Sequence, residues 1–281
     1  MFRSLLFIPG NNPSMLQNAD IFMSDGIIFD LEDAVDINEK DNARNLVETY
    51  LLTTKDLPKT IILRINPVNS LFIEEDLKLL LSRKIDYILL PKTNMISLYV
   101  IDKTLSLLEK KNNLKETKLI CLIEEAKAVN EIDEIASHER VEGLLLGAED
   151  LTNELEIERT TVGNEIMYAR SKVIFAAAAN KIIAIDTPFT DISDQEGLEY
   201  DCSQAKSLGM KAKSAIHPSQ LETINQIFSP TKKMIQWAKG VMETYEKVNK
   251  GVFQYQGKMI DKPVIEKAKK IIEKAKNFDL L

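Results

Sequence analysis

Two carboxylates, Glu124 and Asp150, stand close behind two successive apolar runs of the chain, residues 118–123 and 144–146. Neighbouring strands of a sheet lie about 5 Å apart, so carboxylates at the carboxyl ends of two adjacent strands can share one cation. Mg²⁺ accepts two such oxygen ligands and leaves its other positions to water and substrate. Each carboxylate alone could equally cap the helix that follows it. As a pair on neighbouring strands, they favour a magnesium site.

Other charged residues also follow apolar runs. Glu32 and Asp33 come after the run 26–29, where they either orient metal-bound water or simply begin a helix. The guanidinium of Arg64 is a rigid fork that suits a carboxylate or a developing enolate oxygen. A salt bridge from Arg64 to Glu32 or Asp33 is the alternative, and it would also position the arginine. Lys92 is a weaker candidate for the site, because it could either bind substrate or only neutralise the acidic residues around it.

The residues just before Asp150 are Gly147 and Ala148. Their small side chains would let a ligand approach their backbone N–H groups closely. A cation bound to a 2-oxo or 2-hydroxy acid, with an arginine nearby, can stabilise an enolate or alkoxide during carbon–carbon bond cleavage. The residues alone therefore predict a metal-dependent lyase or aldolase.

The composition argues against several other classes of function. The net charge is −7 and no basic patch is interleaved with aromatic residues, so nucleic acid is not an expected partner. No apolar run reaches the ~20 residues of a membrane span, and no signal-peptide layout is present, so we expect a cytoplasmic protein without a membrane partner. The sequence also has no Cys/His cluster suited to structural zinc, no Gly-x-Ser-x-Gly motif and no phosphate-binding loop.

Eight short apolar runs alternate with segments of helical periodicity, which predicts parallel strands joined by right-handed crossovers. Eight repeats within roughly 220 residues match a (β/α)8 TIM barrel, whose usual size is ~250 residues. A doubly wound open sheet is the alternative, but functional groups at the carboxyl end of nearly every strand favour the barrel. The predicted strands are 5–8, 26–29, 60–63, 87–90, 118–123, 144–146, 182–185 and 213–216.

The sequence predicts two parts, a catalytic barrel in residues 1–228 and a helical extension in residues 229–281. Alternating residues in 252–260 indicate a small hairpin or arm, and a last helix begins near Pro263. Asp261, from the pattern alone, is an ordinary helix cap. Such an extension either covers its own barrel or contacts a neighbouring subunit, and we expect the second.

Nine short motifs, spread in order over nearly the whole chain, resemble the malyl-CoA lyase and HpcH/HpaI aldolase group, and within it the citrate lyase beta chains. One motif alone would be weak, but the set is specific. The motifs are residues 3–10, 30–35, 64–66, 90–92, 123–124, 147–150, 184–187, 216–220 and 257–261.

The resemblance implies a TIM barrel, usually trimeric, that binds Mg²⁺ through Glu124 and Asp150. It also implies that Arg64, with the backbone of Gly147 and Ala148, holds the oxo-acid.

The resemblance further implies a reaction, the cleavage of a citryl thioester on an acyl carrier protein to oxaloacetate and an acetyl thioester. In the hypothesised mechanism, Mg²⁺ and Arg64 stabilise the hydroxyl as it ionises. Asp261, which the resemblance places in the neighbouring subunit's site, then protonates the acetyl enolate. The implied partners are the carrier protein, or coenzyme A in its place, and the alpha and gamma subunits of citrate lyase.

Two other functions stay open at this point. The first is a free-standing lyase or thioesterase acting on malyl-CoA or citramalyl-CoA. The second is a non-catalytic barrel subunit of a larger complex, against which the intact set of candidate residues argues. The pairs Ala212-Lys213 and Thr187-Pro188 differ from many members of the group. We expect both pairs near the barrel rim, where they would affect substrate identity and not the metal site.

Overall fold

The barrel closes through eight parallel strands that pair in sequence order, the first also pairing with the eighth. The computed structural model describes residues 1–54, 59–248 and 251–281. The described chain divides into two compact units, residues 2–225 and residues 226–281 with Met1. The predicted TIM barrel is confirmed, and the open sheet is excluded. The strands are β1 (Ser4–Pro9), β2 (Gly26–Asp30), β3 (Thr60–Arg64), β4 (Tyr87–Leu90), β5 (Lys118–Ile123), β6 (Val141–Leu146), β7 (Ile183–Asp186) and β8 (Ala212–Ala215).

Apolar side chains fill the inside of the barrel, because alternate residues of each strand point inward. Because the strands are parallel, their carboxyl ends and the polar residues there lie together at one rim, where active sites of such barrels form. The buried core residues are Phe2, Leu5, Ile28, Ile62, Leu89, Ile120, Leu122, Leu145, Ile185 and Ala212.

Helices follow the strands, as the alternating pattern predicts. The helix after β6 begins already at Ala148, two residues after the strand ends. The helices of this part are α1 (Pro13–Gln17), α2 (Lys40–Thr53), α3 (Ile73–Lys78), α4 (Met95–Asn112), α5 (Ala126–Asn130), α6 (Ile132–Ser137), α7 (Ala148–Glu154), α8 (Met167–Asn180), α9 (Gln195–Leu208) and α10 (Leu221–Phe228). Short 3-10 turns are Ile37–Glu39, Leu79–Ser82, Asn164–Ile166 and Pro218–Gln220.

The carboxy-terminal unit is a helix pair with a small hairpin. Its elements are α11 (Lys232–Val248), β9 (Phe253–Tyr255), β10 (Lys258–Ile260) and α12 (Lys262–Asn277). The two strands pair antiparallel, which confirms the predicted hairpin. The Asp261 side chain accepts a hydrogen bond from the Val264 N–H at 3.3 Å, so it caps α12 as the pattern indicates. Among the described helices, none combines the length and apolar character needed to cross a membrane.

Candidate active site

A cavity of about 320 Å³ opens at the carboxyl end of the barrel. The last residues of seven strands, or the residues just after them, contribute to its wall. One part of the wall is charged and another is apolar, as is typical of a site for a small organic acid. The lining residues are Phe7, Pro9, Asp30, Asp33, Ala34, Arg64, Leu122, Glu124, Leu145, Gly147, Ala148, Glu149, Asp150, Thr187, Pro188 and Ile216.

Arg64 is held at this rim by two acidic residues. Its Nε and Nη2 atoms donate to the two carboxylate oxygens of Asp30 at 2.7 and 2.5 Å. Its Nη1 atom lies 2.9 Å from Glu32 Oε2. The sequence predicted Glu32 or Asp33 as partner and missed Asp30, the main one. The signal was in the strand register, because Asp30 pairs directly with Arg64 as the last residues of β2 and β3.

Glu32 is buried with unusual electrostatics. The Arg64–Glu32 contact lacks the alignment of a hydrogen bond, and among the described residues neither Glu32 carboxylate oxygen has a hydrogen-bond partner. Burial raises the pKa of Glu32 to about 7, against the opposing charge of Arg64. The Lys40 ammonium donates to the carbonyls of Leu31 and Glu32 at 2.7 and 2.6 Å and so holds this backbone. The free oxygens are suited to receive donors such as metal-bound water.

Lys92 brings the two predicted metal ligands together. Its backbone N–H donates to Glu124 Oε1 at 2.6 Å, and its ammonium lies 3.1 Å from Asp150 Oδ2 and 3.8 Å from Glu124 Oε1. Burial raises the pKa of Glu124 to about 8. Burial lowers the pKa of Lys92, but the two carboxylates outweigh it and raise that pKa to about 12. The Lys92 ammonium, itself a cation, thus lies close to both carboxylates.

The donor set around Glu124 fits a magnesium ion. The two carboxylates converge on the Lys92 ammonium, and the nearby Glu32 oxygens have no hydrogen-bond partner among the described residues. In the part of the chain that the structure describes, no cluster of three or more His, Cys, Asp or Glu side chains is arranged to hold a metal. A site with two protein carboxylates therefore leaves most positions to water and substrate, which is the coordination Mg²⁺ tolerates.

Asp150 and Gly147 lie differently from the expectation. Asp150 does not end a strand but belongs to the first turn of α7, with its side chain 43% exposed. The Gly147 N–H donates to the Ile123 carbonyl at 2.9 Å, so this N–H has a protein partner, and its contact with a ligand stays a prediction. The glycine is required for space instead, because a Cβ atom there would lie 2.6 Å from the Cβ of Glu124.

Two of the remaining predicted residues line the cavity, and the third belongs to the other unit. Asp33 is exposed, lines the cavity and makes no ion pair with Arg64 among the described contacts. The Ala148 N–H donates to the Thr187 hydroxyl at 3.2 Å. Asp261 belongs to the carboxy-terminal unit. Its catalytic role is therefore not part of the geometry of this cavity and stays a prediction.

The sequence did not reveal a cluster of four buried charges, Arg170, Asp186, Asp201 and Lys213, here called the four-charge cluster. It joins α8, β7, α9 and β8, and every member is at most 3% exposed. Arg170 contacts both Asp186 oxygens at 2.9 Å and Asp201 at 2.5 Å. Lys213 contacts Asp186 at 2.7 Å and Asp201 at 2.5 Å.

The position of Lys213 corrects the expectation that Ala212-Lys213 lies at the barrel rim. Ala212 begins β8 and belongs to the barrel core, and Lys213 is completely buried. Burial lowers the pKa of Lys213, but Asp186 and Asp201 outweigh it and raise that pKa above its usual range. This lysine is therefore a charged structural group and cannot touch a substrate in the cavity.

Comparison with known families decides the classification. The family model described as HpcH/HpaI aldolase/citrate lyase matches residues 3–218. The chain belongs to this family. The citrate lyase subunit beta of Leuconostoc mesenteroides subsp. cremoris is 36% identical over 280 residues, which cover 97% of this chain and 93% of that protein.

Two further relatives show the range of this family. The (3S)-malyl-CoA thioesterase of Cereibacter sphaeroides strain ATCC 17023 is 31% identical over 98% of this chain and 94% of that protein. The crystal structure of the protein CitE from Mycobacterium tuberculosis, in complex with magnesium, acetoacetate and coenzyme A, has a TM-score of 0.77 and 28% identity. The match covers 97% of each chain.

The raised pKa of Glu124 predicts that Mg²⁺ binding releases a proton. With a pKa of about 8, Glu124 is mostly protonated at pH 7, whereas a metal ligand must be ionised. We expect release of about one proton per Mg²⁺ at pH 7, and affinity about 50-fold weaker at pH 6 than at pH 8. Calorimetric Mg²⁺ titrations in two buffers of different ionisation enthalpy measure both quantities. Affinity that is independent of pH would contradict this prediction.

The same pKa values give the sign of the pH dependence of stability. Without metal, folded Glu32 and Glu124 hold their protons up to pKa values of about 7 and about 8, above the ordinary value of 4.5. The folded state therefore binds more protons than the unfolded state between these limits. Their contribution to the free energy of unfolding is present below pH 4.5 and is lost as the pH rises through 7 and 8.

Proposed function

We propose that this chain is the beta subunit of a citrate lyase, a Mg²⁺-dependent carbon–carbon lyase that cleaves a citryl thioester to oxaloacetate and an acetyl thioester. The observation that carries the proposal is the convergence of Glu124 and Asp150 on the Lys92 ammonium, in the cavity that Arg64 also lines. This arrangement lies at the carboxyl rim of a barrel that is 36% identical, over nearly its whole length, to a citrate lyase subunit beta.

In this proposal, Glu124 and Asp150 hold Mg²⁺, and Glu32 and Asp33 orient water around it. When bound, the metal supplies positive charge to the hydroxyl and carboxylate oxygens of a 2-hydroxy acid and of its 2-oxo product. The fit rests on the carboxylates that converge on Lys92 and on the Glu32 oxygens, which have no hydrogen-bond partner among the described residues. Lys92 also carries a positive charge that a substrate carboxylate could contact.

Arg64 has the second role in the proposed reaction. The bond that breaks joins the hydroxyl-bearing carbon to the methylene group next to the thioester. The hydroxyl gives its proton to solvent water as the new carbonyl forms, and the methylene carbon keeps the bonding electrons as an acetyl enolate. Because Asp30 binds Arg64 through two hydrogen bonds, the guanidinium is held in place to stabilise the developing oxygen charge. The small Gly147 and Ala148 leave room beside it.

We assign Asp261 the proton transfer to the acetyl enolate, with the carboxy-terminal unit of a neighbouring subunit of a trimer as its source. Because Asp261 also caps α12, its substitution must preserve the cap. Asparagine and serine are both good helix caps, but neither is an acid. We expect Asp261→Asn and Asp261→Ser to lower kcat by about 10³-fold with unchanged melting temperature and Mg²⁺ affinity. A variant with normal turnover would remove Asp261 from the mechanism.

The proposed substrate is carried by an acyl carrier protein, with the alpha and gamma subunits of citrate lyase as partners in the cytoplasm. Coenzyme A can stand in for the carrier thioester in an assay. The purified chain with Mg²⁺ should release oxaloacetate from citryl-CoA, and no pyruvate or glyoxylate from citramalyl-CoA or malyl-CoA. Hydrolysis of malyl-CoA would instead support the function named for the 31% identical relative. Release of glyoxylate or pyruvate would support a free-standing lyase.

An inactive result with coenzyme A thioesters needs a second assay. An assay with citryl-loaded acyl carrier protein, in the presence of the alpha subunit as the transferase, tests whether the carrier protein is obligatory. Absence of product there, from folded protein that binds Mg²⁺, would support the non-catalytic barrel subunit and overturn the proposal.

A further inference from the structure

The four-charge cluster is connected to the candidate metal site through Thr187. The Lys213 ammonium donates to the Thr187 carbonyl at 2.6 Å, besides its two carboxylate contacts. The Ser214 hydroxyl donates to the preceding carbonyl, that of Asp186, at 2.9 Å. The backbone at the end of β7 is thus held by Lys213, a member of the four-charge cluster, and by Ser214, the next residue of β8. Thr187 itself is fully buried and lines the cavity.

Thr187 supplies a cap that α7 lacks in its own sequence. The first N–H groups of a helix have no partner within the helix, and a Ser, Thr, Asp or Asn at the cap position usually accepts from one of them. In α7 the cap position is Gly147, which has no side chain. The Thr187 hydroxyl, from the neighbouring β7 connection, accepts the Ala148 N–H at 3.2 Å instead.

This contact bears on the metal site because of where α7 begins. Ala148 is the first residue of α7, and Asp150 lies in the same first turn. The Asp150 side chain is 43% exposed, and the Lys92 ammonium is its one ion-pair partner in the described structure. Besides that contact, the backbone of the first turn determines where the carboxylate lies. A buried threonine held by a buried lysine is a rigid support for that backbone.

We propose that Thr187, held in place by Lys213, is a positioning residue for Asp150. Its hydroxyl fixes the first turn of α7 and so keeps the Asp150 carboxylate beside Glu124, ready to bind Mg²⁺. The inference rests on the proposed metal site.

The test is the Mg²⁺ affinity of the full chain, measured by calorimetry and without substrate. Thr187→Val removes the acceptor and keeps the shape, and we expect it to weaken Mg²⁺ binding about tenfold. Thr187→Ser keeps the hydroxyl and should bind within about threefold of the original protein. If Thr187→Val does not fold, Thr187→Ala removes the same acceptor without adding a methyl group.

A matched control separates positioning from general stability. Ser4 is fully buried at the amino end of β1, where its hydroxyl donates to Asn225 Oδ1 at 2.7 Å. Ser4→Ala should lower the melting temperature to a similar extent but leave Mg²⁺ affinity unchanged. Equal Mg²⁺ affinity of Thr187→Val and Ser4→Ala would overturn the inference. Absence of Mg²⁺ binding by the original protein would instead refute the proposed function, so the two failures are distinguishable.

Discussion

Replacing Glu124 with glutamine is expected to remove Mg²⁺ binding from the calorimetric range and to lower kcat/KM by about 10³-fold. Glutamine has nearly the same shape, and its Oε1 can still accept the hydrogen bond from the Lys92 N–H. The substitution thus removes the negative charge and leaves that local contact. Because Glu124 is one of only two proposed protein ligands, no neighbouring ligand can compensate.

The control for Glu124→Gln is Glu125→Gln, the same change one residue later. Glu125 is half-buried at the start of α5 and makes no side-chain cap there. We expect Glu125→Gln to keep Mg²⁺ affinity and activity within about twofold of the original protein. Mg²⁺ binding by Glu124→Gln at the original affinity would refute the proposed ligand set, whatever the effect of the substitution on turnover.

The stability of the metal-free protein gives a second readout of the same variant. The buried carboxyl of Glu124 costs free energy when it ionises, which is why its pKa is raised to about 8. Glutamine cannot ionise, so the variant should lose less stability than the original protein between pH 6 and pH 9. Added Mg²⁺ should raise the melting temperature of the original protein only.

The barrel could be predicted from the sequence because its strands are short, nearly continuous apolar runs. Each run is buried on both faces, and a charged or polar residue marks where it leaves the core. The same reason made Glu124 and Arg64 visible as candidates, since both stand at such ends. The helical periodicity between the runs then required parallel pairing, and the eight strands close into one barrel.

The partners of those residues could not be predicted, because they depend on strand register and side-chain direction. Asp30 looked like one of several acidic residues after β2, and only the pairing of Asp30 with Arg64 selects it. Asp150 looked like the end of a strand, but the chain turns at Gly147 and forms α7 first. A single apolar run does not show where its strand ends and the next helix begins.

The four-charge cluster was invisible for a further reason. Its members come from four elements and are up to 43 residues apart, from Arg170 to Lys213. Lys213 stands within an apolar run, where a lysine suggests a strand edge and not a completely buried ion. A buried charge is stable only when its partners are present, and the sequence does not show which distant residues supply them.

Lys213→Met is expected to destabilise the fold by about 3–5 kcal/mol, the largest effect on stability that we predict. Methionine fills a similar volume, but it leaves Asp186 and Asp201 with Arg170 as their only cationic partner in the described structure. Removal of one partner from a buried ion network leaves uncompensated charge in the interior. Chemical denaturation of the metal-free protein, followed by circular dichroism, measures the change.

Two further variants test this explanation. Lys211→Met is the same change at an exposed position two residues away and should cost less than about 0.5 kcal/mol. The double variant Lys213→Met with Asp201→Asn removes one positive and one negative charge, and Arg170 keeps its two hydrogen bonds to Asp186. Its loss of stability should be smaller than the sum of the two single losses, because the charges act as one network. Additive losses would show that Lys213 contributes by packing and not by charge.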